Sequence, residues 1–385
     1  MFALSEGHKM LREMLREFAA KEVKPQVAEF EERKEFPAEI VKRLGEMGFM
    51  GIAVPEKYGG AGMDTLAYAI AEEEIASVWA SLGLIMSANN SLSCSPILEW
   101  GTEKQKQQYL VPLASGQKLG CYALTEPDAG SDAANQKTTA RRDGKYYVIS
   151  GAKRFITNVS KADTCVLIAR TGEDRHRGLS AFIVETATPG FVVGRAEDKM
   201  GLHCVPTCEI ILEDCRVPKE NLLGGEGAGW KVAMKTLNGG RINIAAQAVG
   251  IAQGAFREAV LHALNRRQFG KPIADFQMIR AMFADMETEI DAARLLTWRA
   301  ACLKDRGLPE TELASYAAKA KLFASEMAER AVSNALQIFG GDGYVRGLPV
   351  ERAFREAKVT QIYEGTSQVQ RLVISADLLR ALRAE

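Results

Sequence analysis

The residue pattern of this chain changes twice along its length, and those two changes constrain the fold more than any single motif does. Near the start, Leu11, Leu15 and Phe18 fall on one face of a helix. The middle of the chain consists of short runs rich in β-branched and aromatic residues, separated by turn signals such as Asp143-Gly144. Long stretches of helical spacing then return, which is typical of a bundle. The order predicts a mainly α protein with a β domain between two helical ones.

The expected boundaries lie where the pattern changes. They give an N-terminal helical domain over residues 1–117, a middle β domain over 118–227 and a C-terminal helical bundle over 228–385. A chain of 385 residues is too long for one ordinary core, so several packed units are expected.

Charge and cysteine content exclude several classes of partner. Lysine plus arginine equals aspartate plus glutamate at 49 each, so no net field attracts nucleic acid or an anionic membrane. The apolar runs are far shorter than a bilayer crossing, and the start of the chain is unlike a targeting peptide. Seven unevenly placed cysteines fit a reducing compartment. We therefore expect a cytoplasmic protein that binds neither nucleic acid nor membrane.

Residue spacing disfavours metal and hydrolase chemistry. His203, Cys204, Cys208 and Cys215 are close in sequence, but they contain no CxxC pair, so no metal site is expected. The four histidines accompany no nucleophile elbow, which argues against a Ser-His-Asp hydrolase. The glycine-rich stretch 224–229 lacks the strand–loop–helix unit of a dinucleotide site, so we interpret it as a hinge.

Two stretches in the middle zone have residues suited to a flat polar ligand. LTEPDAGSD, residues 124–132, carries hydroxyls and a glycine turn that could face a ring or a phosphate, although it could equally be a β-to-loop corner. RFITN, residues 154–158, places Phe155 and Thr157 on the same side of a strand by the two-residue period. An aromatic face beside a hydroxyl suits a heteroaromatic ring, while core packing is the alternative.

Three stretches in the last zone are similarly open to two interpretations. RRQFGKPIADFQ, residues 266–277, could bind a pyrophosphate through arginine or could simply complement a helix end. QIFGGDGY, residues 337–344, could let backbone approach a ligand or could be a helix C-cap. YEGTSQVQR, residues 363–371, puts Glu364 ahead of a hydroxyl-capped helix start, where a glutamate is usually solvated.

In this order and within this frame, the stretches resemble those of the acyl-CoA dehydrogenase family. The resemblance covers nearly the whole chain and includes PEKYGGAGMD at residues 55–64 and LNGGRINIA at residues 237–245. It implies an N-terminal helical domain, a middle β-barrel-like domain and a C-terminal four-helix bundle, with FAD between the last two. It also implies a homo-oligomer, commonly a tetramer.

The resemblance assigns expected FAD contacts. Thr125 and Ser131 would contact the flavin ring and phosphates, Phe155 would cover one ring face, and Thr157 would hydrogen-bond near the reactive nitrogen. Arg266, Gln268, Gln337 and Gly341 look like residues that reach the FAD of a neighbouring subunit, and Thr366 and Gln368 match residues near adenosine. The complete expected set is Tyr122, Leu124, Thr125, Gly130, Ser131, Phe155, Ile156, Thr157, Arg266, Gln268, Phe269, Phe276, Gln277, Gln337, Gly340, Gly341, Thr366 and Gln368.

Glu364 matches the family's catalytic base, which removes the proton next to the thioester carbonyl. Some members place their base at the position of Gly240, which has no side chain here. The expected substrate contacts are Ser131, Asn238, Arg241, Tyr363 and Gly365. The implied reaction converts an acyl-CoA, short-chain butyryl-type or isobutyryl-type, to the trans-2-enoyl-CoA and passes electrons to electron-transferring flavoprotein. The alternatives are an acyl-CoA oxidase and a non-catalytic scaffold that binds acyl-CoA or flavin.

Overall fold

The first zone of the chain is helical. The computed structural model describes residues 4–384. The helices of this zone are α1 (Glu6–Phe18), α2 (Val27–Arg33), α3 (Ala38–Glu46), α4 (Thr65–Ala76), α5 (Ala80–Ser87), α6 (Ser95–Trp100), α7 (Glu103–Gln105) and α8 (Val111–Ala114). Side-chain caps begin several of them: the Asp64 carboxylate accepts a hydrogen bond from the backbone N–H of Ala67 at 2.7 Å, and Thr102 and Gln105 form a capping box.

Wider π-helical turns join several of these helices. They span Ala19–Val23, Ala88–Cys94 and Lys106–Leu110. The turn over Ala88–Cys94 is almost entirely buried. Asn89 and Asn90 in it donate hydrogen bonds to the carbonyls of Met50 and Phe49, at 2.7 and 2.8 Å. This π-helical turn is therefore bonded to the segment between α3 and α4, and it also accepts a hydrogen bond from the backbone N–H of Gly120 in β1, at 2.8 Å.

The middle zone forms one eight-stranded sheet. Its strands are β1 (Gly120–Ala123), β2 (Thr139–Asp143), β3 (Tyr146–Thr157), β4 (Thr164–Arg170), β5 (Leu179–Glu185), β6 (Phe191–Ala196), β7 (Thr207–Pro218) and β8 (Leu222–Leu223). The strand order is β6-β7-β3-β2-β4-β5-β8, and β1 pairs in parallel with β4. The predicted turn at Asp143-Gly144 is present, because Asp143 pairs with Tyr146 across a tight hairpin and Gly144 has φ 58°.

The last zone is built from long helices. They are α9 (Gly229–Asn265), α10 (Gln277–Asp305), α11 (Glu310–Phe339), α12 (Pro349–Ala357) and α13 (Ser367–Ala384), and a short hairpin of β9 (Arg267–Gln268) and β10 (Lys271–Pro272) lies between α9 and α10. The predicted order of helical, β and helical zones is confirmed. No helix within residues 4–384 combines the length and apolar character that spanning a bilayer requires.

The two helical zones share one apolar core. Residues of the first zone, such as Leu15 of α1 and Trp79 just before α5, belong to the same buried cluster as Val249 of α9 and Met327 of α11. One face of the β sheet buries its own cluster, and the other face packs against the helices around Ala88–Cys94 and the start of α9. The three zones therefore meet along the side of α9, and that junction contains the cavity described next.

Candidate active site

A cavity of about 300 Å³ lies where the three zones meet. It brings together eleven of the residues predicted from the sequence: Tyr122, Leu124, Thr125, Gly130, Ser131, Phe155, Ile156, Thr157, Arg241, Glu364 and Gly365. The remaining lining residues were not predicted: Ala88, Leu92, Ala133, Trp230, Met234, Leu237, Val369 and Val373. They are mostly apolar, so the cavity combines a few polar groups with a largely apolar wall, as small-molecule sites usually do.

The loop over residues 124–131 is held in place by a buried ion pair that lies outside the cavity lining. Lys153 is fully buried, and its ammonium group lies 2.8 Å from a carboxylate oxygen of Glu126. It also donates to the Leu124 carbonyl at 3.1 Å, while Glu126 accepts from the backbone N–H of Lys137 at 2.6 Å. Because these contacts fix the loop, the side chains of Thr125 and Ser131 can stay at the cavity wall.

Phe155 adopts a backbone conformation that is uncommon for an aromatic residue. Its φ is 59°, and the pairing of β3 with β7 shifts register between Lys153 and Ile156, which marks a bulge. Phe155 and Thr157 still both line the cavity, as the two-residue period predicts, while Ile156 between them also borders the cavity but is buried in the sheet's own apolar cluster. The Phe155 side chain stays 53% exposed. A strained residue with an open aromatic face indicates a binding surface more than a core position.

Glu364 stands on the opposite side of the cavity, in a tight turn. Its φ is 52° and that of Gly365 is 98°, so two successive residues have left-handed backbones. The side-chain amide of Gln370 donates to the carbonyls of Glu364 and Gly365, at 3.2 and 2.7 Å. Arg241 also donates to the Glu364 carbonyl at 3.4 Å. The turn is therefore held by side chains of α9 and α13, and it presents the Glu364 carboxyl group to the cavity.

Gly240 leaves the space that the Glu364 carboxyl group occupies. A Cβ atom added at Gly240 would lie 2.0 Å from Oε2 of Glu364, far inside van der Waals contact. A side chain at position 240 and the carboxylate of residue 364 therefore compete for the same place. Gly240 has no side chain that could act as a base, and the absence of that side chain makes room for the Glu364 carboxyl group.

The environment of Glu364 changes its protonation. Burial raises the pKa of the Glu364 carboxyl group to about 7, while Arg241 and Lys321 lower it. Its Oε2 atom is buried and accepts no hydrogen bond from the described residues. A carboxyl group with a pKa near 7 can accept a proton at neutral pH, which is the property required of a general base.

Two predicted substrate contacts lie just outside the cavity. Asn238 accepts a hydrogen bond from Arg241 at 3.1 Å and donates to the Glu310 carboxylate at 3.0 Å, so it orients Arg241 from behind. The Tyr363 hydroxyl donates to Gln247, whose amide donates to the Ala80 carbonyl at 3.0 Å. Both residues support the cavity wall.

Most of the other predicted residues lie at one end of the bundle, away from the cavity. Stacked rings of His262 and Phe339, with centroids 4.1 Å apart, join the ends of α9 and α11 and bring residues 266–277 near residues 337–344. We call these two segments the bundle-end surface; its predicted members are Arg266, Gln268, Phe269, Phe276, Gln277, Gln337, Gly340 and Gly341. Phe269, at a turn with φ 51°, is 92% exposed.

Thr366 and Gln368 lie at the start of α13. The Thr366 hydroxyl accepts a hydrogen bond from the backbone N–H of Val369 at 3.3 Å and caps the helix, while Gln368 is exposed. Within residues 4–384, no group of three or more acidic, histidine or cysteine side chains is arranged to hold a metal ion.

Comparison with known proteins identifies the family. Models of the acyl-CoA dehydrogenase N-terminal, middle and C-terminal domains match residues 5–117, 121–215 and 227–379. The chain belongs to the acyl-CoA dehydrogenase family. It is 50% identical to the short-chain specific acyl-CoA dehydrogenase of Clostridium acetobutylicum over 98% of this chain and 100% of that one.

Solved structures agree with this assignment. Butyryl-CoA dehydrogenase from Megasphaera elsdenii is 44% identical, with a TM-score of 0.96 over 98% of this chain and 100% of the other. A chain from a structural study of the electron transferring flavoprotein of Acidaminococcus fermentans is 50% identical, with a TM-score of 0.96 over 99% and 100%. The predicted acyl-CoA dehydrogenase fold is therefore confirmed.

Acyl-CoA dehydrogenases are FAD flavoproteins and oxidoreductases that act on acyl-CoA, and this chain is one of them. The residues at the cavity fit that cofactor. Phe155 offers an open aromatic face, the buried Tyr122 hydroxyl has no partner among the described residues, and a Cβ added at Gly130 would meet open space. A flat heteroaromatic ring with polar edges would satisfy these groups.

Proposed function

We propose that this acyl-CoA dehydrogenase acts on short-chain acyl-CoA thioesters and passes the electrons to an electron-transferring flavoprotein. The chain is about half identical to an enzyme named as short-chain specific and close in structure to one named as a butyryl-CoA dehydrogenase. A chain from a study of an electron transferring flavoprotein is equally similar, which supports that acceptor. The product is the trans-2-enoyl-CoA.

The observation that carries the proposal is the position of Glu364. Its carboxyl group faces Gly240 within a cavity whose other wall carries Phe155 and Thr157. An α-proton of a thioester is only weakly acidic, so its removal requires a positioned base with a suitable pKa. Burial raises the pKa of Glu364 to about 7, which meets that requirement.

The other residues of the cavity prepare the substrate for proton removal. Phe155 and Thr157 form the wall against which bound FAD would lie. When bound, the flavin would supply the acceptor for the hydride that leaves the β-carbon of the substrate. Arg241 is largely buried and holds the Glu364 carbonyl, so it fixes the direction of the carboxylate. Ala88, Leu92 and Leu237 give an apolar lining that excludes water from the acyl group. Glu364 takes the α-proton.

We infer that a second copy of the chain completes FAD binding, and that the protein is a homodimer or a tetramer. The bundle-end surface exposes Phe269 and Tyr344 at 92% and 89%. It carries Arg266 and backbone at Gly340 and Gly341 that could contact a phosphate-bearing ligand. These residues lie outside the cavity of their own chain. The ligand that they would contact is therefore the FAD bound in the cavity of a neighbouring chain.

Anaerobic titration of the FAD-loaded protein with acyl-CoA thioesters tests the proposed reaction. Wild-type protein should lose flavin absorbance most readily with butyryl-CoA and more weakly with long-chain thioesters. Glu364→Gln should still bind FAD and acyl-CoA, but it should reduce flavin on the order of 10² to 10⁴ times more slowly, the usual contribution of a positioned base.

Glu356→Gln is the matched control. Burial raises the pKa of Glu356 to about 8, but this carboxyl group is not part of the cavity lining. The control should bleach at a rate close to that of wild type. Undiminished bleaching by Glu364→Gln would remove Glu364 from the mechanism. Rapid peroxide formation in air, without a requirement for an electron-transferring flavoprotein, would instead identify an oxidase.

A further inference from the structure

A fully buried lysine lies directly behind the turn that carries Glu364. Lys321 is on α11, and its side chain is 0% exposed. Its ammonium group donates to the Gly365 carbonyl at 2.8 Å. Burial of a lysine in an apolar helix bundle is costly unless the charge is compensated. The helix around it is rich in alanine, with Ala317, Ala320 and Ala324 all buried. Packing alone does not explain a charged side chain at this position.

The turn that Lys321 contacts has an unfavourable backbone geometry. Glu364 is a non-glycine residue with φ 52°, a strained conformation that persists only if the surroundings enforce it. Lys321 and Gln370 both donate to the Gly365 carbonyl, at 2.8 and 2.7 Å. Lys321 is therefore one of the groups that hold the carboxyl group of Glu364 in the cavity.

The charge of Lys321 also acts on Glu364. The groups that influence the two carboxyl oxygens come from several elements: Arg241 of α9, Lys321 of α11, Tyr68 and Glu72 of α4, Tyr122 of β1 and the adjacent Tyr363. Burial raises the pKa values of Glu72 and of the three tyrosines, which favours their neutral forms. Arg241 and Lys321 are the cations that oppose the effect of burial on Glu364.

Arg241 and Lys321 occupy different positions relative to the reacting groups. Arg241 lines the cavity and contacts the Glu364 carbonyl, whereas Lys321 is outside the cavity lining and contacts the next carbonyl along the chain. Removing Lys321 would therefore leave the surface that meets substrate unchanged. An effect of such a substitution on proton removal would have to pass through Glu364.

We propose that Lys321 is a positioning residue for proton abstraction: its buried ammonium group fixes the Glu364 turn through the Gly365 carbonyl and favours the ionised form of the Glu364 carboxylate. The inference rests on the proposed function, in which Glu364 is the base. Lys321 touches neither substrate nor cofactor in this arrangement. Burial lowers the pKa of its own ammonium group to about 8, so it remains mostly charged at neutral pH.

Two substitutions separate the charge of Lys321 from its hydrogen bond. Lys321→Met removes both, and Lys321→Gln removes the charge but keeps a donor near the Gly365 carbonyl. Lys319→Met is the control, because Lys319 is exposed two residues earlier on the same helix. The measurement is the rate of anaerobic flavin reduction by saturating butyryl-CoA as a function of pH, with FAD-loaded protein.

Both substitutions at Lys321 should move the midpoint of the pH profile upward by about one unit or more, the usual effect of losing a nearby opposite charge. Lys321→Met should also lower the maximal rate by on the order of ten- to a hundredfold, because the turn loses a donor. Lys321→Gln should lose less of the maximal rate. If the methionine variant does not fold, the glutamine variant alone carries the test, and Lys319→Met should leave the profile unchanged.

An infrared titration measures the same ionisation without turnover. The carboxylic-acid band that disappears in Glu364→Gln should titrate at higher pH in both Lys321 variants, in protein with and without FAD. A lowered rate with an unchanged midpoint and an unchanged infrared titration would assign Lys321 a purely structural role and overturn the proposal. Failure of the proposed function is distinguishable, because Glu364→Gln would then bleach normally whatever the infrared result.

Discussion

The cavity and the bundle-end surface together contain most of the residues that the sequence predicted, and they differ in how complete each is within one chain. The cavity is built by one chain, with Glu364, Phe155 and Thr157 on facing walls. The bundle-end surface presents Phe269 and Tyr344 almost fully to the outside. On the proposed function, a single chain therefore contains the arrangement for proton removal. Firm retention of FAD would also need the bundle-end surface of a second chain, because those residues lie outside the cavity of their own chain.

The comparison predicts that substitutions in the cavity change the chemical step, whereas substitutions at the bundle-end surface change cofactor retention and assembly. It also predicts that the pH dependence of the reaction arises from the ionisation of Glu364 in the cavity and not from the bundle-end surface. Three measurements test these statements.

Gly240→Ala should have the largest effect. The added Cβ would lie 2.0 Å from Glu364 Oε2, so the carboxylate must move from its position in the cavity. Displacement of a base by about 1 Å typically costs on the order of 10²-fold in rate. The measurement is anaerobic flavin reduction by butyryl-CoA, and FAD content should be unchanged.

Gly239→Ala provides the neighbouring control. A Cβ at Gly239 would meet only the flexible end of Lys304, at 3.0 Å. This variant should keep most of the wild-type rate. Equal losses in the two variants would show that the helix, and not the Glu364 carboxylate, is sensitive to added volume.

The pH profile of flavin reduction should show about a tenfold rise between pH 6 and pH 8. The base must be ionised to accept a proton, and burial raises the pKa of Glu364 to about 7, so the rate increases as the pH passes through that value. Arg266→Ala, at the bundle-end surface, should keep the same midpoint. A midpoint near the ordinary pKa of a glutamate would contradict the role given to burial.

Phe269→Asp should have a smaller effect, of several-fold, and on a different quantity. Its ring is 92% exposed at the tip of the β9–β10 hairpin, so a charge there would disturb an apolar contact with a second chain and not the internal core. We expect weaker FAD retention and dissociation on dilution, measured by bound-flavin absorbance and sedimentation.

Met10→Asp replaces another exposed apolar residue, on α1, and serves as the control. A Phe269→Asp protein that stays associated and keeps its flavin would show that the bundle-end surface does not meet a second chain.

The change of residue pattern was enough to predict the order of the three zones, but some elements gave no pattern to detect. Strand β2 buries only Ala140 of its five residues, and β6 buries only Phe191 of its six, so neither shows apolar alternation. The π-helical turn over Ala88–Cys94 depends on hydrogen bonds from Asn89 and Asn90 to the distant Phe49 and Met50. Local spacing does not contain that information.

The candidate site was predictable where its residues belong to polar or glycine-rich stretches, and not where they are apolar. Leu92, Met234 and Val373 have the spacing of ordinary core positions, because a helix face looks the same whether it meets a protein or a ligand. Lys321 gave no signal either. A lysine in a helix is usually solvated, and its burial depends on the Glu364 turn, which is far away in sequence.

The shared core of the two helical zones has a consequence for how the protein is made. Trp79, near the start of the chain, is completely buried in a cluster that also requires Val249 and Met327. During synthesis, the first zone emerges long before the partners that cover it, while the intervening sheet can already form its own cluster. A nascent chain that stops after the sheet would expose the apolar faces of α4 and α5, so release of the last helices from the ribosome sets the moment at which the first ones become protected.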